Sequence, residues 1–253
     1  NLEFIDKVSI VLPSYNQEWC ISDSIDSIIN QTYGNWELIV IDDSSSDKTR
    51  DIVKQYIKKY PGKIRLIKKD KDKRGLASSY GVGIKECTGD YVAFLEGDDI
   101  WKKDNLINKL IIFQNHLDVG CVFSNVQSFG ESELLIQRNE EVSYFFRDLD
   151  IPSGPFDMKK LISDRLPVKS FSSVVVRREL LNGLDFSNDY DIWFDWWFHT
   201  QLSLLCKYLY LNEKTVKWRV HSSSYFEDYK RNNDIRNRYS LIQKRIQDYL
   251  SNK

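Results

Sequence analysis

Glu96, Asp98 and Asp99 fall within four residues, directly after the apolar run Tyr91-Val-Ala-Phe-Leu95. Carboxylates packed this closely repel one another unless a cation neutralises them. Hard divalent ions such as Mg²⁺ and Mn²⁺ take oxygen ligands. They typically use one or two protein carboxylates and fill the rest of their shell with phosphate oxygens. A diphosphate leaving group suits such an ion, which offsets the charge that builds as the bond breaks. A solvated acidic turn explains the same residues without a metal, as does an N-cap, with Asp99 preceding a helix from near Trp101. Two further polar clusters, Pro13-Ser-Tyr-Asn16 and Asp42-Asp43, also follow apolar runs.

The elements that must position these clusters alternate. Residues 8–14 form a β-branched run that reads as a buried strand, and residues 18–30 carry Trp19, Ile21, Ile25, Ile28 and Ile29 at helical spacing. A second strand covers 36–41. Ser46 or Asp47 can cap the helix that follows, and Pro61-Gly62 stops it. A third strand spans 64–67, a charged loop 68–74, a helix 76–87 and a fourth strand 91–95. Strands alternating with helices predict a largely parallel sheet, and ligands of such sheets bind beyond the carboxyl ends of the strands. The three polar clusters should therefore meet along one edge. Beyond residue 115 the patterning is looser. Strands are expected over 119–126 and 171–177, an aromatic-rich helix over 194–207, one or two strands over 208–220 and an amphipathic helix in the tail 228–253. Residues 130–150 read as a long loop or an edge hairpin.

Composition narrows the function classes. The 253 residues carry 36 Lys+Arg against 37 Asp+Glu, a net charge of -1, so the broad basic footprint of a nucleic-acid binder is missing. Cys20, Cys87, Cys121 and Cys206 are scattered without a CxxC pair. They read as free thiols of a reducing cytosol rather than a zinc knuckle or a disulfide framework. No signal peptide and no bilayer-length apolar run is read in the chain. It begins with Asn1 rather than Met, as a piece of a longer protein would, and a preceding segment could carry a membrane anchor.

Four motifs coincide in order: Val8-Ser-Ile-Val-Leu-Pro-Ser-Tyr-Asn16, Ile39-Val-Ile-Asp-Asp-Ser-Ser-Ser-Asp47, Arg74-Gly-Leu-Ala-Ser-Ser-Tyr-Gly81 and Gly89-Asp-Tyr-Val-Ala-Phe-Leu-Glu-Gly-Asp-Asp99. Together they resemble the family 2 glycosyltransferases, inverting enzymes of the glycosyltransferase A fold. The likeness is close over residues 7–115 and looser through Phe194-Asp-Trp196 and Trp218-Arg-Val-His221. It implies a Rossmann-like, mostly parallel α/β sheet flanked by helices. Residues 1–115 would be the nucleotide-sugar half, 116–225 the acceptor-binding and catalytic half of the same domain, and 226–253 a terminal amphipathic helix.

The resemblance also implies roles. Pro13, Tyr15 and Asn16 would line the base pocket, with Tyr15 stacking on the base. Asp42 and Asp43 would read the pyrimidine or ribose, and Arg74 and Gly75 would lie near ribose and phosphates, while the lysines of the 68–74 loop read as solvated. Glu96 and Gly97 would sit against the donor, Glu96 standing where Asp is usual. Asp98 would ligate Mn²⁺ or Mg²⁺, with His221 at the metal or diphosphate, and imidazole suits Mn²⁺ better. Asp195 would be the catalytic base, although Phe194 stands where Glu is usual, and Asp191 is its rival. An N-cap beside packed aromatics is the plain alternative for Asp195. Asp99 would face the acceptor or a residue supporting the site, and Trp196 and Trp197 could form an acceptor platform or simply be core.

The activity implied is transfer of a hexosyl group from a UDP-sugar to a hydroxyl of a glycan or lipid-linked glycan, with inversion, in the cytoplasm or at the inner face of the membrane. The rivals are a nucleotide-sugar-forming nucleotidyltransferase, which would need a glycine-rich basic phosphate loop after the first strand, and a catalytically inactive binding module. The terminal helix is open to three uses: covering the acceptor site, pairing two copies or touching a membrane surface.

Overall fold

In the first half, β-branched runs bounded by polar turns make strands, and the amphipathic segments between them make helices. The computed structural model describes residues 6–142, 151–187, 193–222 and 235–253. Strand β1 (Val8–Ser14) leads to helix α1 (Ile21–Ile29), β2 (Trp36–Asp42) to α2 (Thr49–Lys59), and β3 (Ile64–Lys68) to α3 (Leu76–Lys85). Then come β4 (Tyr91–Phe94), the two-residue β5 (Ile100–Trp101), α4 (Asn105–Asn115) and β6 (Val119–Gly130). Helices α5 (Glu133–Val142) and α6 (Lys159–Ile162) precede β7 (Val174–Arg177), α7 (Phe194–Leu202), β8 (Lys207–Val220) and α8 (Ile235–Ser251).

One eight-stranded sheet runs in the order β3-β2-β1-β4-β7-β6-β8-β5. Strands β1 to β4 pair in parallel, as does β6 with β8, while β7 and β5 enter antiparallel. Both faces are covered. Ile10, Leu12, Leu38 and Val40 pack with α1, α2 and α4, and Val11, Ile39, Ile41, Val92 and Phe94 pack with α3, α7 and α8. Burial on both sides is why these strands read as continuous apolar runs. Helix α3 approaches very closely: a Cβ on Gly83 would stand 2.3 Å from Val11 Cγ1. Only a residue without a side chain lets α3 lie that near the sheet.

Several sequence expectations are corrected. Residues 133–142 are helical rather than loop or hairpin, and 143–150 lie outside the described residues. Trp101 belongs to β5, paired with Val216, so Asp99 caps no helix there and α4 starts at Asn105. Residues 171–173 form a 3₁₀ turn before β7, and α7 ends at Leu202. The stretch 207–220 is one strand, paired with β6 along most of its length through several register shifts. The terminal helix begins at Ile235, and 223–234 lie outside the described residues. Its apolar residues Ile242, Ile246 and Leu250 are buried in this chain's own core, which leaves that stripe unavailable for pairing two copies.

Lys109 is fully buried between α4 and β8, donating to Asn105 Oδ1 and, at 3.1 Å, to Thr215 Oγ1. Burial drags its ammonium down from the usual lysine range to about 7, against a weak opposing pull from Glu213. An unfolded chain then binds more protons than the folded one between about pH 7 and 10.5, so stability rises with pH across that window. Replacing Lys109 by Met removes the buried charge while Thr215 keeps its bonds to Asn105 and Ser124. We expect urea unfolding of the wild type to gain on the order of 2 kcal/mol from pH 7 to 9 beyond any gain in Lys109→Met. Equal pH dependence in the two proteins would contradict this.

Candidate active site

The loops after β1, β2 and β4 meet at the carboxyl edge of the sheet. Asn16, at φ 50°, ties the first two together. Its amide donates to Ser45 Oγ at 3.0 Å, and its Oδ1 accepts from the Ser46 amide at 2.8 Å. Pro13 is buried in β1 beside Ile41. The Asp42 carboxylate, also buried, accepts from the Ser45 amide and lies 3.5 Å from Arg50 Nε. Asp43 binds Lys69 Nζ at 2.7 Å with one oxygen and the Gly75 amide at 3.0 Å with the other. Lys69 is therefore no solvated loop lysine: it is 6% exposed and also donates to Gly75 O, Ser78 Oγ and Ser79 Oγ, locking the start of α3. The Arg74 guanidinium lies 3.8 Å from the centre of the Tyr15 ring, in cation–π contact. A cavity of ≈ 140 Å³ opens beside these loops, lined by Ser44, Ser45, Arg50 and residues 68–71, a predominantly basic wall suited to an anion.

The acidic turn follows β4. One carboxylate oxygen from each of Glu96, Asp98 and Asp99 lies within 4.8 Å of the others. Three unit charges at that spacing repel by roughly 3 kcal/mol per pair at an effective dielectric near 20. The turn is nevertheless held tightly. Asp99 is fully buried, accepting from the Arg219 amide at 2.8 Å and from Ser170 Oγ at 3.3 Å. Burial and the neighbouring Asp98 push its carboxyl above the ordinary range. Asp98 Oδ2 faces His221 Nε2 at 3.0 Å, and Asp98 O accepts from Arg219 Nε at 2.7 Å. Gly97 O accepts from Ser24 Oγ at 2.9 Å, and a Cβ at Gly97 would stand 2.1 Å from Gln17 Oε1. The Glu96 amide donates to Ser172 Oγ at 3.0 Å. The Glu96 carboxyl is pushed well above its usual value by burial, then by Asp99, Asp98 and Asp195.

Asp195 is thus the weakest of the named charges that push the Glu96 carboxyl up, although about a hundred residues separate the two. It sits in the first turn of α7, with Oδ1 accepting from the Trp196 amide at 2.8 Å. Trp193, not Asp195, holds the N-cap position. Burial raises the Asp195 carboxyl to about 7, opposed by that amide bond. The preceding residue, Phe194, stacks on Tyr80 at 5.6 Å, and Phe94, Phe171 and Phe198 close that aromatic cluster.

The donor set of Glu96, Asp98 and His221, two carboxylates and an imidazole, fits Mn²⁺ or Mg²⁺. The three residues expected on the acceptor side are placed elsewhere. Asp99 has both oxygens engaged inside the protein. Trp196 is buried with its indole N–H on Ile162 O at 2.8 Å, and Trp197 is buried against Tyr249 of α8. They are core, because α7 is covered by α6 and α8. Asp191 lies outside the described residues. Sequence reasoning missed Lys69, Ser170, Ser172 and Arg219. Only Arg219 carried a signal, its place inside the motif Trp218-Arg-Val-His221.

Known proteins share this architecture. The model for "Glycosyl transferase family 2" matches residues 9–184. The chain is 31% identical over 241 residues to the Escherichia coli UDP-Glc:alpha-D-GlcNAc-diphosphoundecaprenol beta-1,3-glucosyltransferase WfgD, covering 90% of this chain and 84% of that one. Its match to Bacillus subtilis EpsE, 38% identical over 125 residues, spans 45% of that protein. Staphylococcus aureus TarS 1–349 superposes with a TM-score of 0.67 at 20% identity, over 84% of this chain and 60% of that one. The mannosyltransferase PcManGT from Pyrobaculum calidifontis, solved with GDP-Man and Mn²⁺, superposes with a TM-score of 0.66 at 19% identity, over 98% and 70%. These two superpositions speak for the glycosyltransferase A fold, while the family-model match and the WfgD identity place the chain in glycosyl transferase family 2.

Proposed function

We propose that this glycosyltransferase moves a hexosyl group from a UDP-sugar to a hydroxyl of a glycan or lipid-linked glycan, in one inverting displacement. The observation that carries this is the carboxylate cluster of Glu96, Asp98 and Asp99 just beyond β4 in a chain of glycosyl transferase family 2. Asp195 accepts the acceptor's proton as that oxygen attacks the anomeric carbon from the face opposite the diphosphate. The bond to the diphosphate breaks in the same step, so an α-linked donor gives a β-linked product. Glu96, Asp98 and His221 would hold a divalent cation, whose charge, when bound, offsets that of the leaving diphosphate. Tyr15, Asn16, Asp42 and Arg74 line the nucleotide side, while Asp43 holds the Gly75 amide in place rather than reaching outward. Supporting the UDP-sugar and the lipid-linked acceptor is the name of WfgD, which gives UDP-Glc and a diphosphoundecaprenol-linked sugar. Such an acceptor would bring the chain to the inner face of a membrane, and no described helix is long and apolar enough to cross one.

A panel of nucleotide-sugars assayed for hydrolysis, with Mn²⁺ and with chelator, tests the activity. UDP-sugars should turn over with the metal and stop with chelator; no turnover in either condition would leave a binding module. Asp98→Ala should weaken Mn²⁺-dependent UDP binding by at least about tenfold, measured by calorimetry. Asp195→Asn should bind UDP like the wild type yet lose roughly 10²–10⁴ in transfer rate. In the wild type, kcat/KM should fall as pH drops through about 7, because Asp195 must be ionised to accept a proton. Normal transfer by the Asn variant would remove Asp195 from the mechanism.

A further inference from the structure

The sequence puts Trp19 among the apolar positions at helical spacing, yet the fold leaves it out of the core. It precedes α1 and is 51% exposed. A single exposed apolar side chain is ordinary in itself. What sets this one apart is the place of its ring. It meets the His221 imidazole edge-on, with 5.0 Å between ring centres and 74° between planes. The Arg219 guanidinium lies 5.4 Å from the same ring.

The backbone that carries this ring is tied down on both sides. The Glu18 amide donates to Asp47 Oδ2 at 2.9 Å, and the Cys20 amide donates to Gln17 O at 3.1 Å. One turn further on, Ser24 Oγ donates to Gly97 O at 2.9 Å and to Asp99 O at 2.7 Å. Trp19 is thus fixed to the acidic turn whose histidine partner it touches. That histidine is buried, and its Nε2 lies 3.0 Å from Asp98 Oδ2. Adjacent ligands of an octahedral ion with bonds of about 2.1 Å stand about 3.0 Å apart. An imidazole turns about two single bonds, so the contacts on its ring select one orientation among several. Groups outside a ligand set that orient a metal-binding imidazole change affinity by roughly 10–100-fold.

We propose that Trp19 is a positioning residue of the divalent-cation site: its ring holds the His221 imidazole with Nε2 turned toward Asp98, so that both reach one ion. The inference rests on the cation-binding role given to Asp98 and His221 above. Trp19 itself neither ligates the cation nor takes part in the displacement. Trp19→Ala removes the wall and leaves every ligand in place, while Trp19→Phe keeps an aromatic edge against the imidazole.

The experiment measures Mn²⁺ affinity with UDP present, from the electron paramagnetic resonance signal of the free ion against a protein-free control. The proteins are the wild type, Trp19→Ala, Trp19→Phe, His221→Ala and the double variant of Trp19→Ala with His221→Ala. We expect the Kd for Mn²⁺ to rise roughly tenfold in Trp19→Ala and to recover most of that loss in Trp19→Phe. Because the side chain is half-exposed, melting temperatures should stay near that of the wild type. In the His221→Ala background Trp19→Ala should add nothing, since the group it orients is gone. A loss that persists in that background runs through Arg219 instead and overturns the inference. Equal Mn²⁺ affinity in the wild type and Trp19→Ala, the result for a ring that serves only to stack on a sugar, overturns it too and leaves the proposed activity standing. A wild type that binds no Mn²⁺ with UDP present overturns the cation site and the inference together.

Discussion

Three carboxylates crowd the turn beyond β4, the charge of Asp195 bears on Glu96 as well, and their repulsion is the constraint around which the site is built. Glu96, Asp98 and Asp99 come from one turn, and Asp195 comes from α7. At an effective dielectric near 20 each close pair costs several kcal/mol, comparable with much of a domain's net stability. The fold meets this in two ways. Asp99 is buried against a backbone amide and a hydroxyl, while Glu96 and Asp195 are held where protonation is favoured. A divalent cation would offset the charge that remains, and an anionic diphosphate could then approach.

Arg219 is the piece that lets the turn keep its shape. Its amide holds Asp99, its Nε holds the Asp98 carbonyl at 2.7 Å, and its NH2 group reaches Asp23 of α1 at 2.7 Å. The guanidinium also lies over Phe129, 4.6 Å from the ring centre. Arg219 thereby joins α1 and the acidic turn to β6 and β8. The β5–β8 pairing continues the same seam. This is how a turn whose own charges would spread it apart is clamped from a strand more than a hundred residues later.

The first half was legible because each of its signals is local. A strand buried on both faces is an apolar run, and the polar clusters fall where those runs stop, so β1 to β4 and their edge could be read directly. Contacts between distant segments resist such reading. Lys69 looks like its neighbours in a basic loop, and only tertiary folding puts Asp43, Ser78 and Ser79 around it. Asp99 and Trp196 look available in sequence, yet burial is decided by β8, Ser170 and α6. Residues 133–142 carry weak periodicity and became helix all the same. Each miss concerns a long-range contact, which single-sequence patterns do not encode.

The terminal helix has a consequence for the chemistry through the same long-range packing. Tyr239 meets Trp193 at 5.5 Å and Trp196 at 5.2 Å, and Tyr249 meets Trp197 at 4.8 Å. These tryptophans flank Asp195, so α8 covers the outer side of the helix that carries this carboxylate. A carboxylate keeps a pKa near 7 only while water is kept from it, because solvation restores the charged form. By packing on α7, the helix helps keep water from the Asp195 carboxyl, the burial that holds its pKa up.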